Sequence, residues 1–236
     1  MEIDFSSSEV ACQAISNYLR SLLNEQSPHP DRLRISFLKG LNPESRILDV
    51  GCGNHSPART KEILPNCYYI GVDVGNYNQS VDNPADEYLI VSSANFNKAI
   101  DVYRGSVDAV ISSHNIEHCE DRDGVVVSLA RSLKVGGRAF IAFPTEESKI
   151  FPKRLGTLNY FEDTSHVGDP PDFGTVVSLL VDNGLKIIYA ATRYQPPLDW
   201  IVGLGMESAS ALEGVLKDGT WAYYGFETVI WAERVV

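Results

Sequence analysis

The stretch Arg46-Ile47-Leu48-Asp49-Val50-Gly51-Cys52-Gly53-Asn54 (RILDVGCGN, 46–54) decides the fold. A short apolar run ends in an acid and passes into a turn with two spaced glycines. A run of this kind reads as a strand buried on both faces. The glycines let the backbone turn tightly and approach a ligand closely, and a helix beginning beyond them favours negative groups. Taken alone, the motif fits equally well a strand-to-helix turn that holds nothing.

Downstream, YYIGVDV (68–74), EYLIVSS (87–93), VDAVISS (107–113) and RAFIAFP (138–144) repeat the apolar run, and helix-compatible stretches separate most of them. That alternation predicts an α/β fold with a doubly wound, mostly parallel sheet. Upstream, Val10, Ala14, Ile15, Tyr18, Leu19 and Leu22 recur at helical steps. The run SPHPD (27–31) breaks that helix, and Asp31 is a candidate N-cap for a second. A helical cap over 1–42 therefore precedes the main domain, 43–236. Two late strand-like runs, 185–194 and 225–235, have only a short candidate helix (207–216) between them, which predicts an antiparallel edge pair. The weakly periodic segment Thr145–Asp172 is long enough to be a lid or acceptor-binding loop.

The chain has 236 residues, 44% hydrophobic and 22% charged, enough for one domain with a substantial core. Its formal net charge of −11 disfavours nucleic-acid backbones and anionic membrane surfaces as partners. The cysteines, at 12, 52, 67 and 119, form no CxxC pair and no zinc-ligand spacing. The pairing of Glu117-His118 with DTSH (163–166) could suggest a metal, but its spacing matches no ligand signature, so no metal is expected. The polar, acidic start is no signal peptide and no apolar run is long enough to span a bilayer. Free thiols and a cytoplasmic setting are the expectation.

Asp73 ends the second strand about 20 residues beyond the glycines, where an acid accepts hydrogen bonds from ribose hydroxyls. The alternative is a solvated strand-end aspartate. The run Gly51-Cys52-Gly53-Asn54-His55-Ser56 lacks the third glycine of a dinucleotide site. Asp49 would repel a pyrophosphate, but suits a ligand bearing an amino group and a sulfonium.

ILDVGCG (47–53) resembles the first motif of the class I S-adenosylmethionine-dependent methyltransferases, and YIGVD (69–73) resembles their second. VDAVISSHNIEHCED (107–121) and LARSLKVGGRAFIAFP (129–144) resemble the fourth-strand and fifth-strand segments of the branch acting on small molecules, quinones and sugars. The resemblance covers about Arg46 to Pro144. It implies a seven-stranded Rossmann-like sheet with an antiparallel last strand, S-adenosyl-L-methionine as cofactor and S-adenosyl-L-homocysteine as product. By this resemblance Asp49, Gly51, Cys52 and Gly53 border the methionine part and Asp73 takes the ribose. Val74 packs on the adenine. Ser93, Ala94 and Asn95 stand where relatives often carry an acid near the adenine amine. Ser113 and His114 lie near the sulfonium.

Methyl transfer needs positioning and exclusion of water, with a base only for a hydroxyl or protonated amine. His114, His118 and His166 are the candidates, and Glu117 with His118 fits a helix-capping role as well. In the lid, Lys149, Lys153 and Arg154 are candidate grips for a phosphate or carboxylate, with Tyr160, Phe161 and Asp163 beside them. Trp200, Trp221, Tyr223 and Tyr224 read as core or as the surface of a homodimer. The expected activity is methyl transfer to a small-molecule or glycan acceptor at oxygen. Its rivals are a binding subunit of the same family, a nicotinamide-dependent oxidoreductase and a nucleic-acid methyltransferase. For the last, SSHN (112–115) stands where an Asn-Pro-Pro-Tyr run would be expected.

Overall fold

The computed structural model describes residues 33–79 and 82–236. The helix expected from Ser8, the Asp31 cap and most of the 1–42 segment lie outside these residues. The first described helix, α1 (Arg34–Lys39), buries Phe37 and Leu38. Phe37 packs edge-on against Trp231, ring centroids 5.4 Å apart.

Seven strands form one sheet: β1 (Arg46–Val50), β2 (Tyr68–Asp73), β3 (Glu87–Ile90), β4 (Val107–Ser113), β5 (Leu133–Pro144), β6 (Leu185–Tyr194) and β7 (Glu227–Arg234). Their spatial order is β3-β2-β1-β4-β5-β7-β6. The pairings from β3 through β5 are parallel, and β7 runs antiparallel to both β5 and β6. The sheet matches the expected doubly wound fold with a reversed last strand.

Side chains alternate across the sheet, and both faces are covered. Leu48 and Val50 of β1 join Val72, Val110 and Ile141 on one face, against Phe96, Leu129 and Leu180. The covering helices there include α3 (Phe96–Asp101), α4 (Arg122–Ser132) and α5 (Phe173–Asp182). Ile47 joins Tyr69, Ile111 and Phe140 on the other face, against Phe37 and Leu38 of α1. Ile47, Leu48 and Val50 are fully buried, each contributing about 1.5–3 kcal/mol of transfer free energy. This unbroken burial fixes the position of the turn that follows β1 and leads into α2 (Ser56–Ile63).

The link between the last two strands differs from the short helix expected over 207–216. It holds α6 (Pro197–Glu213), seventeen residues long, and then α7 (Thr220–Tyr224). Pro197 lies in the first turn of α6, where its fixed φ suits a helix start. Gly203 weakens the helical pattern in sequence but has a packing reason: a Cβ there would run into the Gly219 carbonyl. The segment 145–172 carries only two short 3₁₀ turns, Glu146–Ile150 and Tyr160–Glu162. It is nevertheless tied down. Asn159 caps the second turn while its amide donates to the carbonyls of Lys149 and Phe151.

Candidate functional site

The carboxyl ends of β1, β2 and β4 meet at the point where strand order reverses, the usual ligand crevice of such sheets. Gly51 sits at φ 77°, and its N–H donates to the Val72 carbonyl at 2.9 Å. A Cβ there would lie 2.5 Å from the Asn115 side chain. Only glycine fits, for conformation and for space alike. At Gly53 a Cβ would sit 3.3 Å from Tyr77 and 3.7 Å from an Asp73 oxygen. The glycine turn and the tip of β2 are therefore immediate neighbours.

Asp49 faces the α1 side of the sheet by the alternation that places Ile47 there. Its Oδ2 accepts from Arg34 at 3.0 Å, Tyr69 at 2.7 Å and Ser56 at 2.5 Å. Arg34, absent from the sequence reading, is the cation at this end, and it also donates to Ser56 and Thr60. Cys52 is buried, and burial first, then the charges of Asp49 and Asp73, push its thiol far up. It is a packing group within the turn.

Asp73 is buried at the end of β2, and its Oδ1 accepts from the N–H of Val74 at 2.7 Å and of Gly75 at 3.4 Å. Burial raises its carboxyl above the ordinary range, and these donors offset only part of that. Beside it opens a cavity of about 190 Å³ lined by Val74, Ser93, Ala94, Phe96, Asn115 and His118, among others. Asn95, on the same 3₁₀ turn as Ser93 and Ala94, directs its amide to Ser92 and is not part of the lining. Ser113, the last residue of β4, is also outside it. A more open cavity of about 470 Å³, bounded by Gly40, Ser45, Asp108 and Arg138, lies at the opposite ends of the strands. Strand-tip chemistry does not reach it.

Beyond β4, His114 adopts φ 51° and donates its backbone N–H to Ala142. Its Nδ1 lies 3.2 Å from Glu117 and its Nε2 2.7 Å from Glu227. Burial pulls this imidazole's pKa down, but the hydrogen bonds to the two carboxylates more than reverse it, to about 10. His114 is thus an imidazolium with both ring nitrogens donating. Trp221 and Phe226 flank the ring at 5.1 and 6.1 Å.

His118 and His166 lie with ring centroids 4.8 Å apart. His118 Nδ1 meets the Ser165 hydroxyl at 3.0 Å, and that hydroxyl donates onward to Asp163 at 2.5 Å. It follows that His118 donates from Nδ1. His166 donates from Nδ1 to the Tyr160 carbonyl at 2.7 Å. Burial holds the His166 pKa below its usual value. Glu117 is fully buried beneath the pair. The structure thus brings two of the three expected histidines together and encloses the third.

In the 145–172 segment, Arg154 already meets an internal carboxylate. It makes a two-pronged pair with Glu207 at 2.7 and 2.6 Å and also donates to Ser210 and Tyr224. Lys149 pairs with Glu146 at 3.2 Å. Trp221 donates to the Thr157 carbonyl at 2.9 Å and stacks on Phe226 at 4.6 Å, which makes it part of the lid's underside. Arg122, also missed in the sequence, ties the segment to the sheet through the carbonyls of Glu117, Val167 and Asp169.

A family model described as "Methyltransferase domain" matches residues 48–141. The chain is 30% identical over 145 residues to the mouse tRNA (carboxymethyluridine(34)-5-O)-methyltransferase ALKBH8, covering 57% of this chain and 21% of that protein. It is 29% identical over 119 residues to an O-methyltransferase of Pyrenophora dematioidea, covering 48% and 45%. The matched region thus spans less than half the length of these curated relatives. Among solved structures, an S-adenosylmethionine-dependent methyltransferase from Mesorhizobium loti superposes with a TM-score of 0.56 at 18% identity, covering 84% of this chain and 96% of that one. Sheet order and reversed last strand define the class I methyltransferase fold. Over residues 48–141 the chain is similar to the methyltransferase-domain family, and the solved structures that share its fold include S-adenosylmethionine-dependent methyltransferases. Among the described residues, no helix is long and apolar enough to cross a membrane.

Proposed function

We propose that this chain transfers the methyl group of S-adenosylmethionine to an oxygen of a small-molecule or glycan acceptor. The observation that carries the reading is the contact between the Gly51-Cys52-Gly53 turn and Asp73, beside the cavity of Val74, Ser93 and Ala94. The cradle fits the cofactor: a glycine turn with no room for a Cβ, a buried carboxylate, and a mixed apolar and polar hollow.

In this reading Asp73 accepts from the ribose hydroxyls, and Val74 and Phe96 sandwich the adenine. Ser93 and Ala94, which line the cavity, offer backbone and side-chain partners to its edge, and Asn95 holds their turn through Ser92. Gly51, Cys52 and Gly53 border the methionine portion, where Asp49 and Arg34 set the local charge. Ser113 and His114 close the wall beside the reacting methyl. Bound there, the cofactor supplies an electrophilic methyl on a sulfonium.

The three histidines take different parts. His114 has no free lone pair, so it positions Glu117 and Glu227 rather than accepting a proton. His118 and His166, each anchored through Nδ1, keep Nε2 lone pairs that would serve the acceptor in this reading. A lone pair within reach of a hydroxyl is what general-base assistance requires. Tyr160, His166 and Trp221 belong to the lid and exclude water from the transfer.

Isothermal titration with S-adenosylhomocysteine tests the cofactor half. Micromolar binding is expected, and no binding at millimolar ligand defeats it. A panel of hydroxylated small molecules and glycans, assayed for methylated product by mass spectrometry, tests the acceptor half. Methylation at nitrogen or carbon alone would refute oxygen as the target.

A further inference from the structure

The pair of histidines and the carboxylate beneath them have a property that methyl transfer does not require. One ligand atom from each of Glu117, His118 and His166 lies within 4.8 Å of the other two. The Glu117 side chain is fully buried, and among the described residues its Oε2 has no hydrogen-bond partner. An unmatched buried carboxylate oxygen is unfavourable unless a cation or donor meets it.

The surroundings are those of a prepared ligand set. Metal-binding imidazoles donate their second ring nitrogen to a carbonyl, carboxylate or other acceptor, which fixes tautomer and ring orientation. His166 does so to the Tyr160 carbonyl, and His118 to the Ser165 hydroxyl, itself anchored on Asp163. Among the described residues neither Nε2 has a hydrogen-bond partner, the His166 Nε2 lying 4.0 Å from Asp163 Oδ2. Glu117 has its other oxygen, Oε1, on His114. Three ligands therefore each carry an outer partner: Tyr160, Ser165 and His114.

We propose that Glu117, His118 and His166 form a binding site for a divalent transition-metal ion, zinc by the character of the donors, at the mouth of the cavity beside Asp73. Two imidazoles and one carboxylate suit zinc and its first-row neighbours better than magnesium or calcium, which prefer oxygen alone. Three protein ligands leave a coordination position open, as in zinc sites that act on a bound molecule. An acceptor hydroxyl in that position would lose its proton at lower pH, and the imidazoles would then act through the ion. This last step rests on the methyl-transfer reading, whereas binding of the ion does not. Two ligands are adjacent on one 3₁₀ turn, Ile116–His118, and the third comes from the 145–172 segment, so the pairing visible in the sequence has a spacing that matches no ligand signature and predicts no ion.

The test uses the full chain after chelator treatment, titrated with Zn²⁺ alone against a competing chelator. One ion per chain is expected, with affinity falling at least a hundredfold in His118→Ala and in His166→Ala. Co²⁺ in place of Zn²⁺ should give visible d–d absorption in the wild type that both variants lose. Glu117→Gln, checked for folding by circular dichroism, should weaken binding while His114→Gln leaves the ligand count intact. Absence of stoichiometric binding, or equal binding by the His118→Ala/His166→Ala double variant, overturns the proposal. S-adenosylhomocysteine titrated into the metal-free protein separates the two readings. Cofactor binding without metal binding refutes the ion alone, and metal binding without cofactor binding refutes the methyltransferase reading alone.

Discussion

Asp73 shows how one carboxylate is prepared for a neutral partner. It is buried beside Gly53, and its ionised form is held less firmly than in water. Hydroxyl donors from a ribose would supply what the protein withholds. Asp73→Ala should therefore weaken S-adenosylhomocysteine binding more than tenfold by titration calorimetry, since a hydrogen bond to a charged group contributes about 1.5–3 kcal/mol. An unchanged dissociation constant would remove Asp73 from the site. Gly51 makes the complementary case for space. Gly51→Ala places a methyl 2.5 Å from Asn115 at a φ of 77°. It should lower unfolding free energy by about 1–3 kcal/mol in urea melts and abolish cofactor binding. Wild-type stability and affinity in that variant would show that the turn is looser than its geometry.

Among the elements, the 145–172 segment owes its shape to charge rather than to regular structure. Arg154 is buried against Glu207 on α6, a helix otherwise remote in sequence. Removing either partner strands the other, so Arg154→Ala or Glu207→Ala should cost about 2–4 kcal/mol, with the double variant costing less than the sum. The pair also sets an acid limit. The Arg154 hydrogen bond outweighs burial and holds the Glu207 carboxyl below its ordinary value of 4.5. A lowered carboxylate stabilises fully above that ordinary value and loses its contribution as pH falls through the lowered one. Thermal melts from pH 7 down to pH 3 should show that loss in the wild type and not in Glu207→Gln. Identical slopes would count against the clamp.

The same scale shows what could be read beforehand. The five parallel strands were legible because each is an apolar run bounded by turn residues, and burial on both faces leaves no other reading of Ile47, Leu48 and Val50. The glycine turn and Asp73 were legible because their spacing is local. Helix α5 was not assigned and α6 was underestimated. Gly174, Gly203 and Gly205 dilute their periodicity, and close packing at Gly203 is a tertiary fact. Arg34, Arg122 and the Glu227 carboxylate on His114 were illegible for the same reason: their partners lie far away in sequence. The cations of the lid pointed to an anion in the abstract, but Arg154 meets an internal one.

For the whole molecule, the balance of 20 basic against 31 acidic residues weighs on the choice of acceptor. The mouse relative acts on a tRNA, whereas a surface with this excess of negative charge repels a phosphate backbone. Gel-shift titration with bulk tRNA at about 150 mM salt, where non-specific complexes have dissociation constants of roughly 10⁻⁴–10⁻⁶ M, should show no complex. A shift at micromolar protein would move the acceptor from small molecules to RNA.

The placement of β7 between β5 and β6 has a consequence for assembly. Both neighbours are made before it, yet neither can meet its partner until it threads the gap between them. A nascent chain halted ahead of Glu227 would carry two raw hydrogen-bonding margins, the kind that recruit strands from other molecules. It would also lack the carboxylate that completes the clasp on the His114 ring. Closure of the sheet and completion of the corner beside the reacting group are therefore one event, and a partly built protein is sticky before it is competent.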